Sequence, residues 1–310
     1  MNQIQSTCPI CNSTKIMFIS KYRSNNNNFI GVNLVRCNDC NLVFASPKLD
    51  DEFIEKYNSE YFKSAHGGLA NDNLTLSFFS AIAKLRYSYI QNFLDKNRLN
   101  VDSILEIGPG SGHFAKNWLT RHPKTKYYAV ETDSSCHNNL TNIGVMLIDS
   151  NTTINVDLVV ISHVLEHVSN PYEFIKQSTK SLKEDGILFI EVPCNDYQHK
   201  HFDEPHLLFF DKKPLNNLLL KSGFFNIELN YYGKRITTLQ KNNRVLNKIL
   251  FYRNLLISKG FTWIFTFKYK GMEIIDNPLE RAIITPFKAH IVSDIPTWWL
   301  RSISQKSKSF

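Results

Sequence analysis

From Val101 onward, short apolar runs alternate with longer amphipathic stretches. Ser103–Ile107, Tyr127–Glu131, Val145–Ile148, Asp157–Ser162 and Ile187–Val192 read as strands, and intervening segments such as His113–Leu119 read as helices. Such alternation predicts an α/β fold built on a doubly wound parallel sheet. Phe225–Tyr232 reads as a sixth strand and Trp298–Ser304 as a seventh, with an insertion over 233–294 between them. In this architecture ligands gather at the carboxyl ends of the strands, near the point where strand order reverses.

Upstream the pattern changes. Leu49 to about Asn97 has helical spacing interrupted at Gly67-Gly68, and reads as a helical linker or lid over residues 49–100. Its aromatic residues, Tyr57 and Phe62 among them, read as packing; Tyr61 is the exception, a phenol placed to bond cofactor or substrate beside a glycine loop. Residues 1–48 read as a small module with strands Lys15–Tyr22 and Phe29–Val35 joined by an Asn-rich loop. Residues 101–310 form the remaining, larger domain, and 310 residues with 43% hydrophobic content suffice for one such core plus the module.

The cysteines give the module its chemistry. Cys8-Pro9-Ile10-Cys11 and Cys37-Asn38-Asp39-Cys40 are two CxxC pairs, and two knuckles of this spacing supply four thiolates at tetrahedral angles. Cys8, Cys11, Cys37 and Cys40 are therefore expected to hold a structural zinc as a zinc ribbon, with no open position for catalysis. Met1-Asn2-Gln3-Ile4-Gln5 carries no basic n-region or apolar h-region, and no long uncharged apolar run follows, so a cytoplasmic protein is expected. The net charge of +8 admits an anionic partner, although the positive residues are dispersed. A basic, aromatic stretch over 246–270 could cover the substrate mouth, make a dimer contact or lie on an anionic membrane. The oligomeric state is open.

Glu106-Ile107-Gly108-Pro109-Gly110-Ser111-Gly112 follows the first core strand. Gly108, Gly110 and Gly112 let the backbone turn sharply and approach a cofactor, with N–H groups presented at the next helix. A dinucleotide fingerprint starting at Gly108 would want Gly or Ala where His113 stands. Glu131, at the end of the second strand, is placed to accept from both ribose hydroxyls, and Asp149, past the third, to accept from an adenine amino group or to stand in water.

The ExGxGxG loop, the acid after the second strand, Val164-Leu165-Glu166-His167-Val168, and Leu182–Gly186 as a turn before Ile187–Pro193 stand in the order of a family. Over roughly Val101 to Asp211 the chain resembles class I S-adenosylmethionine-dependent methyltransferases. That resemblance implies a seven-stranded Rossmann-like methyltransferase sheet and S-adenosylmethionine as cofactor, with Glu106, the three glycines and Glu131 in its pocket. An N-terminal zinc ribbon and the later segment His199–Phe210 make the chain similar to bacterial sugar C-methyltransferases and their relatives in polysaccharide gene clusters. The narrower likeness implies a sugar or glycan substrate, with His167 and His206 matching the places of the family's substrate-handling histidines. Pro205 stands where an acid precedes the second histidine in those enzymes, with Glu204 one step earlier, so C- and O-methylation both stay open.

A neutral imidazole suits proton removal from a hydroxyl or an enolisable carbon. His167 is the first candidate base and His206 the second, with Glu166 able to orient a base or cap a helix. The competing functions are an RNA methyltransferase, against which the ribbon's loop is Asn-rich rather than basic, a methyltransferase of another small molecule, and a non-catalytic binding module, against which the glycine loop is intact.

Overall fold

In the central strands, Leu105, Val159, Ile161, Leu188 and Ile190 join one buried core, while Ile104, Leu158, Val160, Ile187 and Phe189 join another. This period of two is what a sheet covered on both faces demands. The computed structural model describes residues 7–65, 73–235 and 296–308, with short pieces between 248 and 276.

The main sheet contains β4 (Ser103–Ile107), β5 (Lys126–Val130), β6 (Met146–Leu147), β7 (Val156–Ser162), β8 (Leu182–Pro193), β10 (Phe224–Arg235) and β13 (Thr297–Lys306). Its order is β10-β13-β8-β7-β4-β5-β6, so the expected seven-stranded α/β sheet is present. β4 to β8 run parallel, and β13 is antiparallel to both neighbours, Arg301 facing Glu191 of β8. Strand order reverses between β4 and β7. The loops leaving those two strands therefore share one end of the sheet.

One face is covered by α2 (Asn73–Asn97), α3 (His113–Arg121) and α4 (His137–Asn142), through side chains such as Ile90, Phe93, Trp118 and Leu140. The other carries α5 (Pro171–Ser178), α6 (Lys212–Lys221) and the N-terminal module. Asn170 caps α5, accepting from the Glu173 N–H, and Pro171 stands in the first turn where its missing N–H costs nothing.

The module holds β1 (Ile16–Lys21), β2 (Asn33–Cys37) and β3 (Val43–Ser46), and its antiparallel sheet is completed by β9 (Leu208–Phe209) in the order β1-β2-β3-β9. The last two members were not apparent in the sequence. Asn27–Phe29 is a 3-10 turn capped by Asn26 rather than the start of a strand, because buried Phe29 stacks on Tyr22 and meets Phe53 and Tyr57 of α1 (Asp51–Ala65). Leu182–Gly186, expected as a turn, opens β8: Leu182 pairs with Val156, and Asp185 takes φ +59° where the register shifts.

Gly67-Gly68 and much of the 233–294 insertion, including most of 246–270, lie outside the described residues. Within that insertion the described pieces include a hairpin of β11 (Phe265–Tyr269) and β12 (Met272–Asp276). No helix among the described residues is long and apolar enough to cross a membrane.

Candidate active site and metal site

A cavity of about 680 Å³ opens at the carboxyl ends of β4 and β7, bounded by the glycine loop, α2, and the segments after β7 and β8. Gly108 takes φ +67°, and a Cβ on it would stand 2.7 Å from Val164 Cγ2. Only glycine lets the loop pass so close to the turn after β7. Gly112, at φ +72°, precedes α3.

The Gly110 N–H donates to Glu131 Oε2 and the Asp133 N–H to Glu131 Oε1, both at 2.8 Å. Each oxygen keeps a second lone pair, so the carboxylate can also accept from a ribose diol at the cavity rim. Glu106 lies deeper, with Tyr127 donating to it at 2.7 Å; burial pushes its carboxyl up to about 7 against that bond. Asp149 is exposed and does not line the cavity. The Tyr61 side chain lies outside the described residues. The glycine loop and Glu131 together fit the nucleoside and charged tail of S-adenosylmethionine.

Across the cavity, Leu165–His167 form a 3-10 turn after β7. The His167 and His206 rings meet edge to face, centroids 4.9 Å apart, with His206 buried. His206 Nδ1 lies 2.7 Å from Oδ2 of buried Asp196, whose other partner there is Lys200, also at 2.7 Å. An ionised carboxylate only accepts, so Nδ1 carries the proton and Nε2 the lone pair. The hydrogen bond from His206 and the Lys200 ammonium outweigh burial and hold Asp196 far below the usual carboxylate range.

Burial brings the His167 imidazole down to about 4 against the pull of Glu166. Asn58 of α1 donates to its backbone carbonyl at 3.3 Å. Glu166 is buried, its Oε1 3.4 Å from His163 Nδ1 and 3.8 Å from His167 Nε2. Glu166, His167 and His206 bring ligand atoms within 4.8 Å of one another, a set that can also hold a divalent cation.

His163 has φ +56°, which aims its N–H at the Glu191 carbonyl (2.8 Å) and sets its ring between two carboxylates. Burial opposes its protonation, yet its bonds to Glu166 and Glu191 prevail and its pKa is raised. Glu191, fully buried in β8, takes Arg86 Nε at 2.8 Å, Arg301 Nε at 2.5 Å and His163 Nε2 at 3.1 Å. Sequence reading gave no role to Arg86, Asp196, Glu191 or Arg301. For Glu191 and Arg301 the available signal was a charge in the middle of an apolar strand, which survives burial only when paired.

In the module, Cys8 and Cys40 Sγ atoms lie 3.4 Å apart, Cys11 and Cys37 3.5 Å, and all four within 4.8 Å of one another. Tetrahedral zinc–thiolate bonds of about 2.3 Å place sulfurs roughly 3.8 Å apart, so the cluster fits that ion. The knuckles repeat one backbone device: the Asn12 N–H donates to the Cys8 carbonyl and the Asn41 N–H to the Cys37 carbonyl, both at 2.9 Å. Both asparagines take positive φ, 58° and 68°, a region Asn tolerates better than most residues.

Residues 80–229 match the family described as methyltransferase domain. No curated protein matches the sequence. Among solved structures, a SAM-dependent methyltransferase of Thermotoga maritima, described as a possible histamine N-methyltransferase, is 14% identical, with 83% of this chain and 97% of that one covered at a TM-score of 0.44. The plantazolicin methyltransferase BpumL, bound to a desmethyl analogue and SAH, is 14% identical over 83% and 98% of the chains, at 0.43. A SAM-dependent methyltransferase of Archaeoglobus fulgidus is 18% identical over 83% and 100%, also at 0.43.

Proposed function

We propose that this chain, an S-adenosylmethionine-dependent methyltransferase whose residues 80–229 are a methyltransferase domain, methylates a sugar, nucleotide-linked or within a growing surface glycan. The observation that carries the reading is the polar end of the cavity. There Asn58, Glu166, His167, Lys200 and His206 face the glycine loop across the space an acceptor must occupy. A polyhydroxylated ring needs donors and acceptors on several sides, and this wall supplies both, whereas an apolar acceptor would make no use of them.

S-adenosylmethionine supplies the methyl group on a sulfonium that becomes a neutral thioether when the group departs. The chain's task is alignment and removal of one proton. Glu131 and the Gly108–Gly112 backbone hold the nucleoside, and the acceptor lies against the histidine pair. As the acceptor's bond to the methyl carbon forms, its proton passes to His206 Nε2, while Asp196 keeps the opposite nitrogen protonated and stabilises the resulting imidazolium. His167, held neutral at ordinary pH, serves the acceptor as a hydrogen-bonding wall rather than as the stronger base.

The test is a screen of nucleotide sugars, oligosaccharides and RNA with S-adenosylmethionine, read as S-adenosylhomocysteine release. Turnover with sugars and none with RNA supports the reading. The reverse overturns it.

A further inference from the structure

Residues Tyr22 to Ser24, just beyond the end of β1, grip the segment that carries His206. The Tyr22 hydroxyl donates to the His206 carbonyl at 3.0 Å, and both are buried. The Arg23 N–H and Nε donate to Asp203 Oδ2 at 2.7 and 3.1 Å, and the Asp203 N–H returns a bond to the Arg23 carbonyl at 2.8 Å. Arg23 also reaches the Tyr197 carbonyl, and Ser24 bonds the Glu204 carboxylate. A further link runs through Leu207: its carbonyl accepts from Ala45 of β3, and its N–H donates to the Glu166 carbonyl, both at 2.8 Å. One short segment is therefore tied to the module on one side and to the Glu166-His167 turn on the other.

Asp203 is 1% exposed, and a carboxylate buried to that degree persists only when its lone pairs are filled. Arg23 fills them with a planar fork, which fixes direction as well as distance. A sheet stabilised by its own metal knuckles is a stiff support for such a grip.

We propose that Tyr22 and Arg23 are positioning residues for His206, so that the zinc-ribbon module sets the angle of the catalytic imidazole instead of only stabilising the fold. The inference rests on the reading of His206 as the base. It gives the module a function in the reaction that its closed four-thiolate site could not supply directly.

The test uses full-length, metal-loaded protein with Tyr22→Phe, Arg23→Ala and Arg23→Lys. Asp196, Lys200, Glu166 and His167 face or neighbour the His206 ring and are left in place. Two readouts are taken: the His206 ring resonances followed by NMR through a pH titration, and kcat against KM for the acceptor, with the affinity for S-adenosylmethionine measured separately. The expected result is displaced His206 ring resonances and a kcat lower by about 10- to 100-fold, with donor affinity unchanged. Arg23→Lys, keeping the charge without the fork, should fall between Arg23→Ala and the parent.

Unchanged His206 resonances and unchanged kcat in both Tyr22→Phe and Arg23→Ala overturn the proposal. Parallel loss of donor affinity and kcat in every variant overturns it as well, since a global defect would then account for everything. Should Arg23→Ala fail to fold, Tyr22→Phe, which removes one oxygen, carries the test alone. Full activity in His206→Ala would instead sink the base assignment, an outcome the ring resonances keep separate from this one.

Discussion

Nδ1 of His206 and Oδ2 of Asp196 lie 2.7 Å apart in a site where both side chains are buried. The pair makes His206 a directed base, because the carboxylate dictates which nitrogen offers its lone pair to the acceptor. An amide in place of Asp196 can donate to Nδ1 and so favour the wrong tautomer. Asp196→Asn is expected to lower kcat by about 10²- to 10⁴-fold with the Kd for S-adenosylmethionine unchanged, as checked by initial rates and calorimetry. A parent-like kcat would remove the dyad from the mechanism.

His167 couples the site to acid stability. Its folded pKa of about 4 lies below the free-imidazole value, so between about 6.5 and 4 the unfolded chain binds a proton that the folded chain refuses. Its contribution is intact above the unfolded pKa and lost as pH falls through the folded one, a difference on the order of 3 kcal/mol. Glu166 and Glu191, both with lowered pKa values, add their own losses at lower pH, so the informative quantity is a difference between proteins. In urea denaturation, His167→Gln should lose less stability than the parent between about pH 7 and pH 5. Equal losses would contradict this.

Arg301 and Glu191 face each other across β13 and β8, at 1% and 0% exposure. Shortening Arg301 to alanine leaves Arg86 and His163 to neutralise a carboxylate that can no longer reach water. A loss of about 3–5 kcal/mol is expected from denaturant titration of Arg301→Ala. A change below about 1 kcal/mol would show that the network relaxes around the gap.

How much of this was legible follows from distance along the chain. The core strands announced themselves through unbroken apolar runs, and Ser103–Ile107 was placed to the residue. The knuckles and the glycine loop are local, since their function is written in residues a few positions apart. β9 was invisible because Phe209 pairs with Val43 across more than half the chain, and a two-residue strand has no period to read; β3, paired locally with β2, is only four residues long. Phe29 misled for a different reason: its apolar side chain is buried beneath Tyr57, but through a turn. Within the candidate site, Glu166, His167 and His206 were found by type and place and do converge, whereas Asp196 looked like any loop acid until the fold carried it to His206.

The four-cysteine cluster should bind about one zinc per chain, measurable by elemental analysis of the purified protein. Cys37→Ser should lose that metal and unfold at lower denaturant, because metal-binding free energy becomes folding free energy in a site of this kind. A metal-free parent of undiminished stability would refute the structural role.

The most direct measurement follows a ¹³C-labelled methyl group from S-adenosylmethionine into product, with the parent and His206→Ala run side by side on the same nucleotide-sugar acceptors. The expected result is label on the sugar in the parent, and transfer slowed by at least about 100-fold in the variant although the donor still binds. Label appearing only on RNA, or equal transfer by both proteins, would contradict the account.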